Sequence, residues 1–150
     1  MTQFFPLIAV LLTMVAQHSP THDRAEQAMG FDQQRTTHHF QMNQTGGVIE
    51  VTAKDAADQT SIGEIRMHLQ HIAVAFAKGD FALPMLVHDT KPPGIETMKA
   101  RRAMMTFAFQ QLPTGGRVVI RTSDERAREA LHEFLRFQIR EHHTGDSIKH

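Results

Sequence analysis

The sequence predicts an α+β domain made of two ββα repeats, forming a four-stranded antiparallel sheet with two main helices on one face and an inter-repeat loop with a short helix. Three observations predict it. Thr45-Gly46-Gly47 recurs as Thr114-Gly115-Gly116, and each set is followed by period-two alternation, Val48-Ile49-Glu50-Val51 and Arg117-Val118-Val119-Ile120. Each half then enters a segment whose apolar residues recur at three and four, the period of a helix buried along one stripe. Each half also reaches a Gly-Asp pair, Gly79-Asp80 and Gly145-Asp146.

The chain opens with an apolar run, Phe4 to Val15, which reads as the core of an export signal over residues 1–16, with cleavage after Ala16. The run is shorter than the roughly 20 residues a membrane-spanning helix needs, so no stable membrane anchor is expected. No Lys or Arg precedes it and Met14 fits the cleavage rule poorly, so a helix packed on the domain stays open as the alternative. Residues 17–28, with His18, Pro20 and His22, read as a polar lead-in, 29–146 as the single domain and 147–150 as a tail.

Within the domain, the Gly-Gly pairs are expected to supply the positive backbone angles of tight hairpins. In the first strand His38 shares a face with Phe40 and is expected to point at the helices, with His39 pointing away. Ser61 with Glu64 reads as a capping box for the first helix, and Ile62, Ile65, Leu69, Ile72 and Phe76 form its stripe. The second helix opens at Thr122 with Glu125, or at Asp124 alone, and begins the same stripe with Ala127, Leu131, Phe134 and Leu135. Gly79 and Gly145 are the expected stops. The insertion Phe81–Ala103 contains Pro84, Pro92, Pro93 and Gly94 and reads as a functional loop.

The repeats differ by polar groups at core positions. Gln138 and His142 stand where the first helix has Ile72 and Phe76, and His38 stands where the second repeat has Phe107. A buried imidazole needs a hydrogen bond, a water or a metal.

Composition indicates what such groups are for. The chain has 11 His and 9 Met but no Cys. Imidazole and thioether are ligands for copper, haem iron and related ions, and the absence of thiol removes the side chain most easily oxidised. Formal net charge is zero, so no global field draws the protein to nucleic acid.

The candidate metal ligands are His38, His39, His68, His71, Met85 and His88. His68 and His71, three apart, lie on one helix flank. Met85 and His88, followed by Met98, supply a mixed thioether and imidazole set from the insertion, suited to copper in either oxidation state or to axial haem ligation. Zinc and haem are further cofactor candidates. No nucleophile elbow, phosphate loop, dinucleotide fingerprint, catalytic Cys or haem-attachment motif is present, so binding is favoured over catalysis. Two readings remain: an exported copper-binding protein for buffering or delivery, or a metal-free periplasmic interaction module with pH-sensitive histidines that takes a protein partner or a second copy of itself.

The segments Thr36–Phe40 (TTHHF), Gly79–Met85 (GDFALPM), His88–Gly94 (HDTKPPG) and His132–Asp146 (HEFLRFQIREHHTGD) resemble a family of small exported bacterial proteins of uncharacterised function. The likeness spans Met29 to Asp146 and implies export, to the periplasm or outside the cell.

Overall fold

A computed structural model describes residues 29–149; the expected signal segment and the lead-in lie outside them. The elements follow in the order β1 (Thr36–Asn43), β2 (Gly46–Ala53), α1 (Gln59–Ala77), α2 (Ala82–His88), α3 (Ile95–Ala100), β3 (Met105–Leu112), β4 (Gly115–Thr122) and α4 (Glu125–Glu141). The sheet is four-stranded and antiparallel in the order β1-β2-β4-β3. Two hairpins are joined at their second strands, with Gly46 opposite Arg121 and Thr52 opposite Gly115. The predicted α+β class and ββα repeat are therefore present, and the insertion carries two short helices where one was expected.

Of the two Gly-Gly pairs only Gly46 adopts the positive backbone angle expected, at φ 145°, and the pairs lie just after the turns. The loops are Gln44-Thr45 and Pro113-Thr114, and the glycines open β2 and β4. A Cβ on Gly47 would stand 2.4 Å from the Leu135 side chain of α4, and one on Gly116 would meet the Phe109 ring at 2.6 Å and Leu69 of α1 at 3.3 Å. Glycine is needed there because helix and sheet approach closely.

Those contacts also reveal a crossing. α1 follows the first hairpin but packs mainly on β3 and β4, while α4 follows the second and packs on β1 and β2. The repeats interlock, and the polar support crosses over with them. Arg66 of α1 donates to the Gly115 carbonyl at 3.1 Å, and His132 of α4 meets the equivalent Gly46 carbonyl at 2.8 Å. His132 is 3% exposed, so this bond keeps a buried imidazole from being a cost.

Helix ends are set by short-range chemistry. Asp58, not Ser61, caps α1 by accepting from the Ser61 amide, and Asp124 caps α4 by accepting from Ala127. Each carboxylate is also paired with an arginine that precedes the hairpin, Arg35 with Asp58 at 2.8 Å and Arg101 with Asp124 at 2.6 Å. Gly79, at φ 79°, stops α1 as expected. α4 stops earlier than Gly145: His143 adopts φ 50° and Thr144 donates back to the Ile139 carbonyl.

The core lies between the sheet and the helices. Ile62, Ile65, Leu69, Ile72 and Phe76 from α1 meet Phe134 and Leu135 from α4 over Phe40, Val51, Val118 and Ile120. The periodicity of both helices thus selected the buried face.

Candidate functional site: a histidine-lined pocket

The polar positions of the first hairpin and the second helix converge at one end of this core. A cavity of about 60 Å³ is bounded by His38 of β1, His68 of α1, His88 of α2, Gln138 of α4 and His142 at the α4 C-terminus, on a floor of apolar side chains that includes Phe40 and Ile72. Each polar residue arrives there by a local rule. The pleat turns His38 to the face of Phe40, and Gln138 and His142 continue the α4 stripe.

The rings pack against one another. His38 and His142 are stacked, centroids 5.3 Å apart and planes 19° from parallel, while His88 meets His142 edge-on at 5.1 Å and 88°. Phe31 closes the other side, stacked on His38 at 5.7 Å and edge-on to His68 at 5.2 Å. His88 Nε2 lies 3.0 Å from Gln138 Oε1, a bond that ties α2 to α4. Pro84 of α2 is buried and Leu83 and Val87 pack against the core, while His88 Nδ1 lies 4.0 Å from Glu141 Oε2, so this short helix is held over the cavity by one apolar side and by polar ties to α4 at its last residue.

Burial dominates the electrostatics. It lowers the His38 ring from 6.5 to about 4, with a further push from His39. It lowers His68 to about 4 as well, aided by His38 and His71 and opposed by a hydrogen bond to the Met29 carbonyl. His142 falls to about 3 through burial and then the neighbouring rings of His38, His88 and His143. All three imidazoles are therefore uncharged at neutral pH, the form that ligates metals. Two polar atoms in the cluster are buried without a hydrogen-bond partner, His38 Nε2 and Gln138 Nε2.

Three of the six sequence-predicted ligands, His38, His68 and His88, are brought together here; the other three are not. His39 is on the opposite face of β1, where its Nδ1 lies 2.9 Å from Asp146 Oδ1. His71 is exposed on α1. Met85 is 39% exposed and lines a separate groove with Lys78 and Lys99. The pocket instead gains His142, whose inward direction the repeat predicted, and Met29, which no spacing rule marked because it precedes the first repeat.

Among the described residues no group of three His, Asp or Glu side chains is set as a ready ligand shell. The stacked rings supply one reason. Imidazole lone pairs lie in the ring plane, so near-parallel rings direct them side by side instead of at one point.

Asp146 forms a second polar junction at the sheet edge. Its Oδ2 accepts from the Phe40 amide at 2.9 Å and from the Thr144 hydroxyl at 2.7 Å, beside the His39 contact. Partial burial raises its pKa, but these hydrogen bonds outweigh burial and hold the carboxyl below its ordinary value. The C-terminal segment is thereby fastened to the edge of β1.

Comparison with protein-family models, with curated proteins and with solved structures gives no match for this chain.

Proposed function

We propose that the protein is an exported transition-metal-binding protein, for copper above other ions, which buffers or delivers the ion from the histidine pocket. The observation that carries this reading is the buried, unpartnered Nε2 of His38 in a cavity walled by other imidazoles. Leaving such an atom unsatisfied costs about 1–3 kcal/mol, so an occupant with a vacant coordination position is stabilised there. His38, His68 and His142 are the primary donors, with His88 joining when its bond to Gln138 opens. Rotation of the stacked rings is required for loading, and displacement of the short helix α2 gives them room. The volume favours an ion over a porphyrin.

The test is metal titration of the mature protein with Cu(II), Cu(I) and Zn(II), read by equilibrium dialysis with metal analysis and by thermal melting. Stoichiometric binding is expected, with about 2.7 kcal/mol of added stability when free metal is a hundred times Kd. Replacing His38 and His142 together by Phe abolishes it. No stoichiometric binding and no rise in Tm for the unaltered protein overturns the reading.

One observation favours the metal-free reading. Leu86 of α2 is 60% exposed and Met85 beside it 39%, so the insertion presents apolar surface to a protein partner. On that reading the imidazoles are structural, and the same titrations return no binding.

A further inference from the structure

We propose that the Met29 thioether is the soft donor of the histidine pocket and makes Cu(I) its preferred ion over Zn(II) and Cu(II). The inference rests on the metal reading of the pocket and names its selectivity.

Met29 is 7% exposed and lines the cavity with His38, His68, His88 and His142. Among the described residues no other methionine lines it: Met98 is sealed in the core, and Met85 faces the groove beside Lys78 and Lys99. The position of residue 29 is fixed by its surroundings. Its carbonyl is hydrogen-bonded to the His68 ring, and Phe31, two residues on, packs against both His38 and His68. A buried methionine side chain is therefore held at the same wall as the imidazoles, and its polarizable, neutral sulfur is the soft donor available there.

Two physical effects then favour the monovalent ion. Thioethers bind Cu(I) in preference to harder divalent ions. The second effect is charge. The pocket lining contains imidazoles, one amide, one thioether and hydrocarbon, with no carboxylate among the lining residues. The cost of bringing an ion out of water grows with the square of its charge, so a divalent ion meets about four times the desolvation cost of Cu(I) there; Glu141, outside the lining and 4.0 Å from His88 Nδ1, is half-exposed, so solvent screens what it can offset. Imidazole alone does not discriminate in this way, since it suits zinc and copper alike.

Met29→Leu tests the proposal, because leucine preserves the buried volume and removes the sulfur. Cu(I) affinity is measured anaerobically by competition with a chromophoric Cu(I) chelator, and Zn(II) affinity by competition with a chromophoric zinc chelator. X-ray absorption of the Cu(I)-loaded unaltered protein reports directly on sulfur ligation, whatever the variant's folding. The expected result is a sulfur scatterer at copper, a loss of at least about tenfold in Cu(I) affinity in Met29→Leu and a Zn(II) affinity unchanged within about threefold, with Met85→Leu matching the unaltered protein. Equal Cu(I) affinity in Met29→Leu, or a copper spectrum without sulfur, overturns this inference alone. Absence of any metal binding by the unaltered protein overturns the pocket reading as well.

Discussion

His142 stacks on His38 with ring centroids 5.3 Å apart, at the position where the other half of the fold sets Phe76 edge-on to Phe107 at 6.0 Å. The two pairs are related by the internal repeat. Because each helix packs on the other repeat's hairpin, the pseudo-equivalent contacts join α1 to β3 and α4 to β1. One end of the core is thus closed by hydrocarbon, and the other carries imidazoles over a cavity.

Replacing His38 and His142 together by Phe should restore the hydrocarbon solution at the second end. The unliganded double variant is expected to be as stable as the parent or more stable by about 1–2 kcal/mol, since exchanging buried polar groups for apolar ones of similar shape is neutral to favourable. Urea unfolding at pH 7.5 measures this. A loss of several kcal/mol would show that the imidazoles hold the end of the core together.

Acid should destabilise the parent in two stages. His38, His68 and His142 have folded-state pKa values of about 4, 4 and 3 against 6.5, so the unfolded chain takes up protons first as pH falls. Their contribution is fully present above pH ~6.5 and declines through the lowered values, a loss on the order of a few kcal/mol. Asp146, held below its ordinary value, adds a second loss at still lower pH because its carboxylate also stabilises the fold only while ionised. Urea midpoints at pH 7.5, 5.5 and 4 should fall in that order. The Phe double variant should flatten the first stage, and an unchanged slope would remove those two rings as its origin.

Asp146→Ala should release the C-terminal segment from β1. The Phe40 amide loses its acceptor, so its hydrogen exchange should accelerate while that of the central β2–β4 pairs stays protected. The global cost should be about 1–2 kcal/mol, the range for a charge-assisted hydrogen bond at a part-buried site. Unaltered exchange at Phe40 would mean the carboxylate is not its acceptor in solution.

Gly47→Ala and Gly116→Ala should differ despite their equivalence in the repeat. A methyl on Gly47 meets the Gln41 backbone carbonyl at 2.7 Å besides the Leu135 side chain, whereas the Gly116 contacts are side chains. Backbone of a paired strand yields less than a ring or a leucine tip. Gly47→Ala is therefore expected to cost about 2–3 kcal/mol and Gly116→Ala about 1–2 kcal/mol by thermal or urea unfolding. The reverse order would place the tighter helix approach on the second hairpin.

The chain's local code determined much of this protein. Period-two alternation identified the strands and turned His38 inward; three-and-four spacing identified both long helices and marked Gln138 and His142 as polar intrusions into an apolar stripe. These rules work because each element's own geometry decides which of its residues share a face. The crossing of helices onto the opposite hairpins was decided only by tertiary packing, since periodicity names a buried face without naming what it meets. That crossing brings His38 to His142 and makes His132 a support for the Gly46 carbonyl. Met29 too enters the pocket by tertiary contact: its place depends on the His68 ring and on Phe31 packing against His38 and His68, contacts that no local spacing records.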